Sequence, residues 1–200
     1  MNARTTLMVL FISVSVAPLW ASEPNPETYA PYTRKGFEKT FKKWGEAGMK
    51  RVNEYRKKAA FAVASSASCD KVEYADLSDN RSQPPNKIVV FVDCANGQRF
   101  YLDNNELDKQ TSATSIADRT RGLNDKDLIS SCETAIRQSL KFPSSFDKKW
   151  FSTNVYRAPQ GNVVVTFDFT AKNGFGIDLP QQARCVTDDR GTHPPEIYNR

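Results

Sequence analysis

The chain has 200 residues, 28 Lys and Arg against 23 Asp and Glu, a formal charge of +5, and 39% hydrophobic residues. Those values fit one or two small soluble domains with some linker and tail. Residues 7–17 are its one long apolar run, and its lone histidine leaves little room for a metal centre.

Residues 1–22 read as a secretory signal peptide: Arg4 supplies the positive start, 7–17 the apolar core, and Ala21 a small residue at the cut. As a helix that core would reach only about 16 Å, against roughly 30 Å of hydrocarbon. No cysteine stands near the cut, which argues against a lipoprotein. The expected location is therefore periplasmic or extracellular. Residues 23–33, with Pro24, Pro26 and Pro31, read as an extended, mobile leader.

Residues 34–66 hold the longest helical pattern. Phe37, Phe41, Trp44, Gly48, Val52, Tyr55, Ala59 and Ala62 recur at threes and fours as one narrow stripe. Gly45 and Gly48 weaken its middle by roughly 1 kcal/mol each, so a bend is expected there. Between residues 34 and 58 ten basic side chains face only Glu38, Glu46 and Glu54, a net of +7. The remainder of the chain is thus net negative, and the basic character belongs to one helix. Lys39, Lys42, Lys43, Lys50, Arg51, Lys57 and Lys58 are its candidate binding residues.

Residues 69–77 read as a strand with Val72, Tyr74 and Leu77 inward, 78–86 as a loop, and 87–94 as a strongly apolar strand. Asn96-Gly97 turns that strand into 99–102. Residues 34–102 thus form one helix-plus-three-strand module. Residues 103–123 are polar and read as a linker with one helical turn near Glu106.

The second module covers 124–187. Asn124 caps a helix whose Leu128, Cys132, Ala135, Ile136 and Leu140 share a face. Residues 150–157 read as a first strand, with Trp150, Phe151 and Tyr156 expected mainly in the core. In 162–172, Val163, Val165, Phe167, Phe169 and Ala171 alternate against Val164, Thr166, Asp168, Thr170 and Lys172. Asn173-Gly174 makes a tight hairpin, and Ile177, Leu179, Ala183 and Cys185 return on one parity. Residues 188–200 read as a disordered tail.

Four cysteines allow three pairings. The polar stretch 103–123 separates Cys69 and Cys94 from Cys132 and Cys185, which favours 69–94 and 132–185.

The order Cys132-Glu133-Thr134-Ala135-Ile136, Phe142-Pro143-Ser144, Ala171-Lys172-Asn173-Gly174-Phe175-Gly176 and Arg184-Cys185 resembles a small module of many uncharacterised bacterial exported proteins. The stretch 92–101 has a similar look. The resemblance covers roughly 128–186 and more loosely 69–102. It implies an exported fold and brings no catalytic residues with it.

No catalytic set stands out. Ser-x-x-Lys occurs at Ser68–Lys71 and Ser145–Lys148, no more often than chance gives at this serine and lysine content. A Ser-His-Asp site would need His193, placed in the tail. Asp103-Asn104-Asn105-Glu106 lacks the central glycine of a calcium loop. No cofactor or metal is expected.

The expected fold is α+β: a long N-terminal helix and two small disulfide-tied modules, their antiparallel sheets each covered by a helix. The expected function is a non-enzymatic binding module that engages an anionic envelope component or an acidic protein through the basic helix. The alternative is an exported enzyme inhibitor or immunity-type protein. A small hydrolase with two carboxylates converging in a cleft is a third class, and nucleic acid ranks below the first two readings as a partner.

Overall fold

The computed structural model describes residues 23–200; the expected signal peptide lies outside the described residues. The leader is not a loose segment. Asn25 accepts from the Glu27 N–H to cap a short 3-10 turn, Thr28 and Tyr32 are buried, and Asn53 accepts from the Tyr32 N–H at 3.0 Å.

Helix α1 (Glu38–Ala64) breaks at Gly45, whose φ of 68° and ψ of 173° interrupt the helical path. The break resets the phase. Phe41 and Trp44 are buried before it, and Met49, Val52, Tyr55, Ala59, Ala60 and Val63 after it. Of the stripe expected through Gly48, Phe41, Trp44, Val52, Tyr55 and Ala59 are buried and Ala62 packs on the same core, whereas Phe37 is exposed and Met49 is the buried residue beside Gly48.

Strands β1 (Val72–Leu77), β2 (Val89–Cys94) and β3 (Arg99–Asp103) form an antiparallel sheet in that order under α1. An irregularity between Val72 and Tyr74 shifts the register. It turns Val72, Ala75 and Leu77 inward and leaves Tyr74, expected inside, exposed. Ile88, Val90, Val92, Phe100 and Leu102 complete this core.

Residues 103–123 do more than link. Asp103 and Glu106 form a capping box that starts α2 (Asn104–Asp108), and Leu107 joins the first core. Ser115 caps α3 (Ile116–Thr120), whose Ile116 and Thr120 are buried.

Helix α4 (Asp125–Ser139) is capped by Asn124 and buries Leu128, Cys132 and Ile136. It covers a second antiparallel sheet of six strands, where three were expected. Strands β4 (Asp147–Lys148) and β5 (Asn154–Arg157) both pair with β6 (Val163–Lys172). Strand β7 (Asp178–Asp188) pairs with β6, β8 (Gly191–Thr192) and β9 (Glu196–Asn199). Along β6 the inward set is Val163, Val165, Phe167, Phe169 and Ala171, as the alternation requires.

Three expectations need correction here. Residues 150–152 form a 3-10 turn rather than a strand. The β6–β7 connection is a five-residue loop, because Asn173 Oδ1 accepts from the N–H groups of both Phe175 and Ile177, and Gly176 takes the positive φ. The stretch 188–200 carries β8 and β9, held by pairing along β7.

The fold is α+β, with both sheets antiparallel and each covered by a helix. The Cys69–Cys94 and Cys132–Cys185 disulfides tie the modules at Cα separations of 5.6 and 5.7 Å. The two apolar cores are separate clusters.

Candidate functional site

Three surfaces carry chemistry beyond packing. The first is α1. The break at Gly45 sorts its candidate cations into Lys39, Lys42 and Lys43 on the short first segment, and Lys50, Arg51, Lys57 and Lys58 on the second. Some are already engaged. Lys43 lies 3.6 Å from Asp79, Arg51 donates to the Pro85 carbonyl, and Lys58 reaches Glu54 and Asp108. Those two carboxylates hold the Lys58 ammonium above its ordinary pKa. Lys39, Lys42, Lys50 and Lys57 are exposed and form no ion pair among the described residues. Arg56, one of the ten counted cations, points inward instead. It donates to the carbonyls of Ala75 at 3.0 Å and Ala30 at 2.7 Å and lies over the Tyr32 ring at 3.9 Å. Burial lowers its pKa to about 10, which leaves it charged at neutral pH.

The second surface is the junction between the modules. Arg81, on the loop after β1, donates to both Asp189 oxygens at 2.8 and 3.0 Å and to Asp188 at 3.0 Å. Its guanidinium lies 3.5 Å from the centre of the Tyr101 ring. Arg190 and His193 also reach Asp188. Burial works to raise the Asp188 carboxyl, but the Arg190 N–H and the His193 side chain outweigh it and hold its pKa below the usual value. A cleft of about 470 Å³ opens beside this cluster, lined among others by Lys87, Glu106, Arg119 and Arg190. Its arginines are matched by carboxylates: Arg119 stands 3.7 Å from both Glu106 and Asp189, and Arg190 reaches Asp188. Next to it, the outer face of the first sheet carries Tyr74, Phe91 and Tyr101 in a row, and Arg99 lies 4.7 Å over Phe91. The row's second and third rings are thus already covered by guanidinium groups. The arrangement reads as a polar clasp between modules.

Sequence reading missed this cluster because Asp188, Asp189, Arg190 and His193 lay in the supposed tail. The one local signal was Asp189-Arg190-Gly191, a turn able to return the chain onto β7.

The third surface is the edge of the second sheet along residues 150–157. Trp150, Phe151 and Tyr156, expected mainly in the core, are exposed at 75%, 108% and 54%. The 3-10 turn lifts Trp150 and Phe151 off the sheet, and Tyr156 pairs with Val164 on the face away from α4. Lys148 is the buried residue of this run, paired with Glu133 and 4.4 Å from the centre of the Trp150 ring.

Neither Ser-x-x-Lys pair is assembled. Ser68 donates to Asp118, Ser145 accepts from the Lys172 N–H, and Lys148 is committed to Glu133. Among the described residues no group of three or more His, Cys, Asp and Glu side chains is placed to hold a metal, and no helix is long and apolar enough to cross a membrane. Two disulfides match an oxidising environment. Comparison with protein-family models, curated proteins and solved structures returns no match.

Proposed function

We propose that the protein is an exported, non-enzymatic binding module, periplasmic or extracellular, that engages an anionic envelope surface or an acidic partner through α1. One observation carries the reading: Lys39, Lys42, Lys50 and Lys57 stand in solvent without ion pairs among the described residues. The junction arginines, by contrast, are all matched by carboxylates. Unpaired ammonium groups beside an anionic surface contribute about 1 kcal/mol each at low salt, and screening removes much of that.

The test is retention on anionic and neutral vesicles and on anionic envelope polymer, at low and high salt. The wild type is expected to be retained more strongly at low salt than at high salt. The quadruple variant Lys39→Gln, Lys42→Gln, Lys50→Gln, Lys57→Gln is expected to elute ahead of it at low salt. Equal elution of the two proteins on every anionic matrix refutes the reading.

A further inference from the structure

Five large apolar side chains project from the β6–β7 loop and the sheet edge that runs back from it: Phe142 (39% exposed), Trp150 (75%), Phe151 (108%), Phe175 (92%) and Ile177 (59%). They come from three segments that pairing brings together. The Lys172 N–H donates to Ser145 Oγ at 2.9 Å, which sets the 142–145 turn beside the β6–β7 loop. The Lys141 side chain lies alongside Gly174 in that loop. Asp147 pairs with Thr170, and the Lys149 N–H donates to the Asp168 carbonyl. Trp150 therefore sits about four residues, roughly 14 Å, back from the loop along β6.

The charges at this end favour anions. Lys141 and Lys172 are exposed and form no ion pair among the described residues. Of the carboxylates here, Asp147 is already engaged by Lys149, and exposed Asp178 stands opposite Lys172 across the hairpin, so the two free lysines outnumber the free carboxylate by one.

We infer that this end of the second module inserts into the headgroup–acyl boundary of an anionic phospholipid bilayer. Phe142, Trp150, Phe151 and Phe175 form no ring–ring contact with one another among the described residues, and Phe151 is fully exposed. A rigid protein partner would need a socket for each, whereas a fluid interface takes them independently. Tryptophan and phenylalanine tips with lysines whose stems can snorkel are the composition that such an interface selects. The inference stands apart from the proposal for α1, because it needs apolar insertion and not the α1 charges.

With Trp20→Phe throughout, Trp150 reports on its own insertion, since Trp44 is buried. The probe is vesicles of mixed phosphatidylglycerol and phosphatidylcholine carrying brominated acyl chains. Bound wild type should show blue-shifted, quenched emission, and Trp150→Phe should abolish the quenching. Phe151→Ser with Phe175→Ser should weaken vesicle affinity about tenfold. The substituted rings are exposed, so circular dichroism should be unchanged. The α1 glutamine variant should keep the quenching at saturating lipid. Protein that sediments with vesicles while Trp150 stays unquenched overturns the inference and leaves the α1 reading standing. So does the absence of any vesicle binding by the folded protein. A single stoichiometric protein partner lost on Phe151→Ser, with no quenching by lipid, would also overturn it and make this end a protein-docking surface.

Discussion

Arg81 and Asp189, 108 residues apart in sequence, meet through two hydrogen bonds of 2.8 and 3.0 Å with side-chain exposures of only 10% and 7%. That contact joins a loop of the first module to the end of β7 in the second, and Asp188 doubles it. The two apolar cores stay separate, so the modules are held by a buried polar clasp and not by a shared hydrophobic layer.

Removing the cation should therefore cost far more than removing a surface one. Arg81→Met removes the cation that two buried carboxylates share, leaving Asp188 to Arg190 and His193 and Asp189 to Arg119 at 3.7 Å; it should destabilise by about 2–3 kcal/mol, read as a lower urea midpoint. Arg184→Met, which breaks the half-exposed pair with Glu196, should cost no more than about 1 kcal/mol.

The same clasp sets an acid limit. The Asp188 carboxyl lies below its ordinary pKa in the fold. It therefore stabilises the protein above the unfolded value, near 4, and loses that contribution as pH falls through the folded value. Asp108 and Asp118 are lowered too, the first chiefly by the Tyr55 hydroxyl and the second chiefly by Ser68. The urea midpoint should stay level from about pH 7 to 5 and fall below about pH 4. Asp188→Asn should flatten part of that fall.

Gly161 is a second joint between the modules. Its φ is +99°, its carbonyl accepts from Thr120 Oγ at 2.7 Å, and a Cβ there would overlap the backbone of Ile116 and Ala117. Gly161→Ala should cost about 2–4 kcal/mol by displacing α3. A comparable change at Gly122, where nothing lies within 4 Å, should be nearly silent in thermal melts.

The disulfides close loops of different length, with sequence separations of 25 and 53. Chain entropy gives about 3.5 kcal/mol for Cys69–Cys94 and about 4 kcal/mol for Cys132–Cys185. Replacing each pair with alanines should lower the urea midpoint in that order, provided the two-state transition persists.

What repeats locally is legible in the chain before any fold is known. The alternation along β6, the cap at Asn124, the apolar face of α4 and the weak point at Gly45 are written in near neighbours, where spacing alone settles which face is buried. The excess positive charge on one helix is legible in the same way. Contacts between residues far apart along the chain are not. Arg56 looked like one more solvated cation until the carbonyls of Ala30 and Ala75 and the Tyr32 ring enclosed it. Trp150 and Phe151 looked like core until the 3-10 turn raised them off the sheet edge. The 188–200 stretch looked like a tail because polar residues carry no periodic signal; pairing with β7 and the bonds of Asp188 and Asp189 to Arg81 give it structure. Buried polar contacts arise from geometry between distant segments, and no local pattern in the chain encodes them.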